Sequence, residues 1–476
     1  MKRFKTFAWV AALALAAASC TPKTNLEGTW YGQQHNTLLT VTFNPDSTLE
    51  MTCEASSNFS MKARYSLDER TSPMQIDLTE TGKGMTGAGI VRVNPDRTLE
   101  LCIDFGAMGA PKRPTEFNSQ PASMATVYYK LTRDKESVLA RTNREVDVPA
   151  EARLAFERNK RLGAGINLNA VVDGNLHPGY ERDAPLADAE IKSIADVGFQ
   201  SIRLVVCWVK HASTEKPYTI DPAFLKKVDH IVDECIKNGM AVSIDQHYYP
   251  YINMMDTCAD VTYEENYERL YCLWEQLAEH YKDYSNEDLF FDLLNEPNLR
   301  MGADKWNEVI AKLVKIIRKT NPGRTILVGT PNLGQHWTLN CLQLPQDDWN
   351  LIVEFHYYLP HLFTHNGLAY AMATDSRMNT WMGTDEEKAP ILYDLDFCKR
   401  WSDANGRPLN MGEYGTVNTV PLASRARYLG FLRGEAAKRG ISSHLWGYRE
   451  IFQIRDEQTG AWDEQILEAL DLPKEE

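Results

Sequence analysis

The chain carries no excess of positive charge. It has 65 acidic residues against 51 basic ones, a formal net charge of −14, and no basic stripe that would offset this balance locally. Such a chain is repelled by phosphate backbones, so the composition argues against nucleic-acid binding. The remaining proportions, 43% hydrophobic and 24% charged residues, are those of a globular protein and exclude global disorder.

Common metal and redox signatures are also absent from the sequence. None of the nine cysteines forms a C-x-x-C pair, which excludes zinc ribbons and thioredoxin-like redox chemistry. The H-E-x-x-H motif is missing, and no group of histidines and carboxylates has the spacing of a metal site. We therefore expect neither a metal nor another cofactor. Most cysteines lie in apolar stretches such as RLVVCW, so we expect buried free thiols.

Only one long apolar run is present, and it lies at the start of the chain. Residues 1–19 combine a basic tip, an apolar run and small residues, as in a secretory signal, and the run is too short for a spanning helix. The sequence Ala17-Ala18-Ser19-Cys20 resembles a bacterial lipobox, which implies lipidation of Cys20; a simple cleaved signal is the alternative. Because Thr21 follows rather than Asp, the resemblance implies attachment to the outer membrane of a Gram-negative cell envelope.

Residues 20–132 have the pattern of a small β-domain. Short alternating segments are separated by turn signals, and two copies of a turn-and-strand pattern begin at Asn44 and Asn94. In their shared register Cys53 and Cys102 point to opposite faces of a sheet, so a disulfide between them is disfavoured. A charged stretch, residues 133–161, is expected to be a linker that becomes a helix.

Two short motifs in this β-domain carry a family resemblance. Gly28-Thr29-Trp30 and the RPTEF segment at 113–117 resemble the G-x-W and R-P-x-x-F motifs of lipocalin-like bacterial domains. The resemblance implies a small barrel that could hold a ligand. A spacer or an interaction module is equally compatible with the sequence, because no titratable residues cluster there.

Residues 162–476 show eight apolar strands separated by amphipathic helical segments. Eight such repeats over about 310 residues predict an α/β protein of the (β/α)₈ TIM-barrel class. A doubly wound sheet is the competing fold. It would be expected to show G-x-G-x-x-G after its first strand, and the segment GINLNAVVDG lacks that motif. The barrel is therefore favoured.

Polar and aromatic residues gather where the predicted strands end, which is where barrel enzymes place their chemistry. Besides Arg203 within the second strand, these residues are His247, Asn295, Glu296, His356, Tyr358, Glu413 and Trp446. Each alone has an ordinary structural explanation, since a single glutamate is often a solvated cap and a lone histidine or tryptophan is often core. Their joint placement at one rim predicts a shared site.

Two carboxylates that face each other across such a rim suit hydrolysis of a glycosidic bond. One must be protonated to donate to the leaving oxygen, and the other must be ionised to attack the anomeric carbon or to activate water. We expect Arg203 to hold Glu413 as an anion, with a further hydrogen bond from Tyr358. Glu296, away from that cation, is expected to keep its proton.

Four further candidates have weaker cases. Asp245 and Asp292 precede the strand ends and are expected to belong to the hydrogen-bonded core of the barrel. His336 and Trp337 lie just beyond the fifth strand. Sugar contact and loop packing are equally compatible with their position.

The order of the rim residues resembles glycoside hydrolase family 5, the cellulase-type clan of retaining (β/α)₈ enzymes. Over residues 162–470, Asn295-Glu296-Pro297 is similar to the family's NEP signature, HYY at 356–358 to its H-x-Y, and GEYG around Glu413 to its nucleophile motif. The resemblance implies Glu296 as acid/base and Glu413 as nucleophile. It implies substrate-binding or supporting roles for Arg203, His247, Asn295, His356, Tyr358 and Trp446. Asn298 departs from the pattern, since many members carry His after NEP.

The resemblance implies a retaining endo-β-1,4-glucanase whose partner is a β-linked polysaccharide or oligosaccharide. A β-mannanase, a xyloglucanase or a β-glucosidase would share the mechanism, and fold analogy does not choose between them. A surface glycan-binding lipoprotein with an inactive barrel is an alternative of a different class. It is disfavoured because a binder would need only the aromatic platform and not both glutamates.

Overall fold

The structure is a computed structural model of the 476-residue chain. It describes residues 26–82, 84–106, 110–117, 126–142, 148–172, 186–247, 249, 263–297, 301–369, 371, 373 and 378–473. The signal at 1–19, Cys20 and Asn298 lie outside these residues.

The amino-terminal region is an antiparallel meander in which each strand pairs with the next one along the chain. Its strands are β1 (Gly28–Gln34), β2 (Thr37–Phe43), β3 (Thr48–Cys53), β4 (Ser56–Asp68), β5 (Met74–Glu80), β6 (Thr86–Val93), β7 (Leu99–Asp104) and β8 (Thr126–Leu131). Tyr31 and Thr132 exchange two backbone hydrogen bonds of 2.7 Å, which bring the last strand back to the first. The predicted all-β region is confirmed as a barrel-like sheet.

Alternation along the strands builds the interior of this sheet. In the two sequence repeats, Leu49, Met51 and Cys53 of β3 and Leu99, Leu101 and Ile103 of β7 are all buried in one apolar cluster. Cys102, which alternates with them, is a buried free thiol outside that cluster. The prediction that Cys53 and Cys102 do not pair is confirmed.

The G-x-W and R-P-x-x-F motifs make contacts that hold the sheet together. Trp30 Nε1 donates to the carbonyl of Leu26 at 2.8 Å, and the guanidinium of Arg133 covers the indole ring at 3.8 Å. Arg113 of the RPTEF segment donates to the carbonyls of Ile76 and Gly89. Both motifs therefore supply structural contacts between neighbouring strands and the chain ends.

Two helices lie in the described part of the charged stretch before the second region. They are α1 (Lys135–Thr142) and α2 (Arg153–Leu162), the latter preceded by a 3₁₀ turn, Ala150–Ala152. The helix leading into the barrel was predicted, whereas α1 was not, because its eight residues carry little apolar periodicity. Val138 is the buried residue of α1.

The second region is a closed barrel of eight parallel strands, so the predicted TIM barrel is confirmed. Its strands are β9 (Ala164–Val172), β10 (Ser201–Val206), β11 (Ala241–Gln246), β12 (Leu289–Asp292), β13 (Ile326–Gly329), β14 (Leu351–His356), β15 (Leu409–Tyr414) and β16 (Ser442–Leu445). Strand β16 pairs with β9 and closes the cylinder. The competing doubly wound sheet is wrong, because an open sheet would leave two edge strands.

Helices surround the barrel. They are α3 (Asp188–Asp196), α4 (Pro222–Lys237), α5 (Tyr263–His280), α6 (Gly302–Arg318), α7 (Pro331–Gly334), α8 (His361–Thr364), α9 (Asp385–Asn405), α10 (Leu422–Lys438) and α11 (Glu464–Leu470). Four-residue or shorter 3₁₀ turns at Trp208–His211 and Glu450–Phe452, and a longer one at His336–Cys341, connect elements. Among the described residues, none of the helices has the length and apolar character to span a bilayer.

The interior of the barrel changes from apolar at one end to charged at the other. Leu162, the last residue of α2, packs at the amino end against a layer formed by Ala241, Phe290, Leu327 and Ile352. Side chains alternate along a strand, so positions two and four residues further on point the same way. Along β14 the interior sequence is Ile352, Glu354, His356. The fold therefore places titratable groups at the carboxyl end.

Candidate active site

Arg203 is the centre of the charged layer. The side chain is fully buried on β10, and its guanidinium makes short contacts with neighbours on five surrounding strands or strand ends. These neighbours are Asn167 at 3.1 Å, Asp245 at 3.1 Å, Asp292 at 2.8 Å, Asn295 at 3.0 Å, Glu354 at 3.1 Å and Glu413 at 3.0 Å. A buried cation with this many acceptors fixes the relative positions of the strands that supply them.

Asp245 and Asp292 belong to this buried layer, as predicted from their positions. They pair in register on β11 and β12, and both side chains are inaccessible to solvent. Burial raises the pKa of each carboxyl group well above its usual range, although Arg203 opposes the shift. Their chemistry is therefore that of structural hydrogen-bonding groups beneath the rim.

Glu413 lies at the end of β15 and is almost fully buried. It accepts hydrogen bonds from Arg203 at 3.0 Å and from the Tyr358 hydroxyl at 2.9 Å, and His356 Nδ1 lies 3.5 Å away. These contacts were predicted for Arg203 and Tyr358. Burial, together with the charge of Glu296, raises the pKa of Glu413, while His356, Arg203 and Tyr358 lower it and so favour the anion that was expected.

Glu296 reaches the same site from the loop after β12. Its side chain is about one third exposed, at 32%, and its Oε1 lies 2.9 Å from His356 Nδ1. The backbone has φ +46°, in the left-handed region that a non-glycine residue adopts at a cost of about 1–3 kcal/mol. The surrounding structure holds the glutamate in this conformation, so that its carboxyl group faces Glu413.

The two glutamates are close together. One oxygen of Glu296, one oxygen of Glu413 and one nitrogen of His356 all lie within 4.8 Å of one another. The charge of Glu296 raises the pKa of Glu413, as expected for two acidic groups this close together. Glu413 faces two cations and a phenol, whereas Glu296 is more exposed and bonds His356. The two carboxyl groups therefore lie in different environments, which is what separate acid and nucleophile roles require.

His356 connects both glutamates to a third carboxylate that the sequence did not reveal. Its Nδ1 faces Glu296 and its Nε2 lies 3.0 Å from Glu354 Oε1. A ring with an acceptor on each nitrogen is satisfied when both nitrogens are protonated. Burial alone would lower the pKa of His356, but the charges of Glu413, Glu296 and Glu354 raise it well above its usual value.

Glu354 is a buried anion of the network. Burial opposes its ionisation, but Arg203 and His356 lower its pKa to about 2. Space for the side chain comes from the neighbouring strand, since a Cβ added at Gly412 would lie 2.3 Å from the Glu354 carboxyl. The available signal was the VEFH sequence, in which an acid two residues before His356 shares its face of the strand.

His247 and Trp446 form the opposite wall of the site. Their rings stack with centroids 5.2 Å apart and an interplanar angle of 10°, and Trp446 is partly exposed. Asp245 accepts from His247 Nδ1, and Nε2 lies 3.9 Å from Glu413. Burial and the charge of Arg203 lower the pKa of His247, so the ring is neutral.

All eight rim residues singled out from the sequence come together, whereas His336 does not join them. His336 is buried and packs against Tyr357, with Nε2 3.5 Å from Asp394. Trp337 contacts His336 edge to face and packs against the apolar core. Loop packing is therefore the observed role of both residues.

A metal is a poor occupant of this site. Glu296, His356 and Glu413 offer three atoms within ligand distance of one another. A histidine must be neutral to bind a metal, and the three surrounding carboxylates raise the pKa of His356. The donor set therefore suits proton transfer better than metal coordination.

Comparison with known proteins agrees with this arrangement. Residues 164–450 match the family model described as Cellulase (glycosyl hydrolase family 5). The chain belongs to glycosyl hydrolase family 5. This family assignment covers all the strands of the barrel and every residue of the site described above.

Individual relatives extend the comparison. Endoglucanase H of Acetivibrio thermocellus is 30% identical over 324 residues, which cover 67% of this chain and 34% of the relative. The chain thus spans about a third of that relative's length. The solved structure of endoglucanase Cel5A from Thermotoga maritima has a TM-score of 0.61 and 33% identity, covering 66% of this chain and 99% of that one. Cel5A was also solved in complex with mannotriose, with the same TM-score, identity and coverage.

Proposed function

We propose that the protein is a retaining endo-β-1,4-glucanase that hydrolyses β-linked polysaccharide by double displacement. The observation that carries the proposal is the short distance between the two glutamates. One carboxylate oxygen of Glu296 lies within 4.8 Å of one carboxylate oxygen of Glu413, beside a ring nitrogen of His356. Retaining glycosidases place their carboxyl groups about 5–5.5 Å apart, whereas inverting enzymes leave about 6.5–9.5 Å for a water molecule. The short separation supports direct attack by one carboxylate.

Glu413 acts as the nucleophile in this mechanism. Arg203 and Tyr358 donate to its two oxygens, which orients the carboxylate and stabilises its charge. Attack on the anomeric carbon forms a glycosyl-enzyme ester as the glycosidic bond breaks. Glu296 gives its proton to the leaving oxygen, then takes a proton from the water that attacks the ester.

His356 links the two halves of the reaction. Its imidazolium lies against both glutamates, so it stabilises whichever is ionised as the proton moves. His247 and Trp446 provide a ring surface beside Glu413 on which a sugar can lie, with Asn295 held by Arg203 at 3.0 Å. These are supporting roles, because none of the three residues needs to form a bond with the substrate.

The choice of glycan is the finer part of the proposal. The names of the relatives favour glucan, while the mannotriose complex of Cel5A makes a mannan-type backbone the main competitor. Purified protein should be tested for release of reducing ends from carboxymethylcellulose, mixed-linkage glucan, glucomannan and xyloglucan, with Glu413→Gly protein as the control. We expect the highest rates on carboxymethylcellulose and mixed-linkage glucan. No release from any of the four would refute the enzyme proposal and support the glycan-binding alternative.

We also propose that lipid on Cys20 anchors the protein to the outer membrane. The lipobox-like sequence and the absence of an acidic residue after Cys20 support this location. In fractionated cells the wild type is expected in the membrane pellet and Cys20→Ser in the soluble fraction. Wild-type protein that is already soluble would contradict the anchor.

A further inference from the structure

A large cavity lies away from the glutamates, between the amino-terminal sheet and the barrel. It has a volume of about 1040 Å³, and both regions contribute to its lining. Asn36 donates to the Asn340 carbonyl at 3.1 Å, and the Tyr393 hydroxyl donates to the Glu54 carbonyl at 3.1 Å. These cross-contacts hold the two walls of the cavity in one arrangement.

The cavity is separate from the catalytic site, because none of the eight rim residues lines it. Trp349 and Arg407, which line it, each lie two residues before the first residue of a strand, β14 and β15 respectively. The glutamates lie at the carboxyl ends of the strands. A ligand in the cavity would therefore not contact Glu296 or Glu413.

The lining combines aromatic rings with carboxamides. Phe397 and Trp401, both nearly buried, come from α9, while Tyr393 on the same helix is 41% exposed. Trp349 is partly exposed, and Arg407 covers its ring at a distance of 4.1 Å. Tyr393 and the uncovered part of Trp349 are therefore the ring surface that remains open to the apolar C–H face of a sugar.

The polar part of the lining is mostly uncharged. Its carboxamides are Asn36, Asn340, Gln343, Gln346 and Asn405. Each amide group offers both donors and acceptors, which is what hydroxyl groups require. The charged lining residues are Glu54, Arg400 and Arg407, so the balance is close to neutral and provides no cluster for a phosphate or a polyanion.

We propose that this cavity is an ancillary binding site for a neutral β-linked oligosaccharide segment, and the choice of glycan rests on the proposed glucanase function. Its volume is at the upper end of the range of about 300–1,000 Å³ for small-molecule pockets, which leaves room for more than one sugar ring. The amino-terminal sheet thereby gains a function. It supplies one wall of a site that holds the polysaccharide close to the catalytic barrel.

The test measures binding and turnover separately. In a Glu413→Gln background, which prevents hydrolysis, cellohexaose is titrated calorimetrically, and retardation is measured in native gels containing mixed-linkage glucan. We expect two cellohexaose sites. Tyr393→Ala and Gln346→Ala should each weaken the second site by about tenfold or more, as for a central contact of a binding surface. Leu422→Ala, an equally exposed side chain on α10 outside the cavity, is the control.

The same cavity substitutions are then made in the active protein. Turnover of a short soluble aryl cellobioside should stay at the wild-type rate, because the cavity does not contact the glutamates. One binding site, or two sites that both resist Tyr393→Ala and Gln346→Ala, would overturn the cavity proposal even if hydrolysis is normal. Binding that these variants weaken, in a wild type without hydrolytic activity, would instead uphold the cavity and refute the proposed enzyme.

Discussion

The two regions of the protein treat buried charge in opposite ways. The interior cluster of the amino-terminal sheet is apolar, and its ion pairs, such as Arg92 with Glu100 and Lys62 with Glu50, lie toward solvent. The barrel instead buries Arg203 completely among four carboxylates. Surface pairs contribute about 0–1 kcal/mol each, whereas removing one partner of a buried pair costs about 3–5 kcal/mol.

This difference separates stability from chemistry. A barrel of this size could be filled with apolar layers, as its amino end is around Leu162. Hydrophobic replacement of a buried ion pair is often neutral or stabilising, so the charged layer is not needed for folding. It is explained by the need to hold Glu413, Glu296 and His356 in fixed positions and protonation states.

Removal of the two glutamates should have the largest effect. Glu413→Gly abolishes the nucleophile, so activity on every substrate should fall at least about 10⁴-fold. Glu296→Ala should cost about 10²–10⁴-fold on polysaccharide but much less on an aryl glycoside whose leaving group needs little protonation. Azide should yield the α-glycosyl azide with the first variant and the β-azide with the second.

The amino-terminal sheet provides the control for the substitutions of Glu413 and Glu296. Glu80 is a buried glutamate of β5, and Glu80→Ala should lower the midpoint of thermal unfolding without changing kcat. A variant of Glu80 that loses turnover as severely as Glu413→Gly would mean that the sheet takes part in the chemistry. The contrast between the two regions would then be wrong.

Gly412→Ala should disturb the network without removing any charged group. The new Cβ would overlap the Glu354 carboxyl and push it away from His356. Overpacking costs about 1–3 kcal/mol, and misplacement by about 1 Å can cost about a hundredfold in rate. Gly434→Ala in α10 is the control, since nothing lies within 4 Å of its Cβ, and it should leave activity unchanged. Equal activities of the two variants would contradict the role of Glu354.

Glu354→Gln should change the pH profile more than the fold. Loss of its charge lowers the pKa of His356, so the imidazolium is lost at lower pH and the alkaline limb of kcat/KM should move toward acid. We expect kcat at neutral pH to fall about tenfold to a hundredfold, or roughly 1.4–2.8 kcal/mol. Asp394→Asn, which removes a buried carboxylate bonded to Tyr357, should leave the profile unmoved.

The titration of His356 also predicts how the free energy of unfolding depends on pH. The folded pKa of His356 is raised, so its charge stabilises the fold below the unfolded value of about 6.5, and that contribution is lost as pH rises through the folded pKa. The Glu354→Gln variant loses part of the stabilisation that the charged His356 provides, because the ring no longer faces the Glu354 carboxylate. The difference in unfolding free energy between wild type and variant should therefore shrink at alkaline pH, and a constant difference would contradict the assignment.

Local sequence predicted the parts of the site that repeat a pattern. The strand ends located seven of the eight rim residues, all but Arg203, because a parallel barrel brings the carboxyl ends of its strands to one face. Glu354 was missed because its partner Arg203 lies on another strand, β10, and meets it only across the closed barrel. The raised pKa of Glu413 was missed for the same reason, since burial is a property of the closed barrel.

The smallest effect is expected from removing the sheet. A protein that begins near Glu151 keeps α2, the barrel and every catalytic group, so kcat/KM on a short soluble oligosaccharide should stay within about threefold of the full chain, a difference below 1 kcal/mol. Binding of the protein to polysaccharide should weaken, because the wall of the cavity that the amino-terminal sheet supplies is lost. A folded but inactive barrel would mean that the sheet completes the catalytic site.

The stereochemistry of the first-formed product tests the division of labour between Glu296 and Glu413 most directly. Proton NMR of the nascent sugar, recorded before mutarotation, distinguishes the two anomers. Because the two carboxyl groups approach within 4.8 Å, the account predicts that the product keeps the β configuration. An α-anomer from the wild type would make the enzyme inverting and contradict the roles assigned to both glutamates.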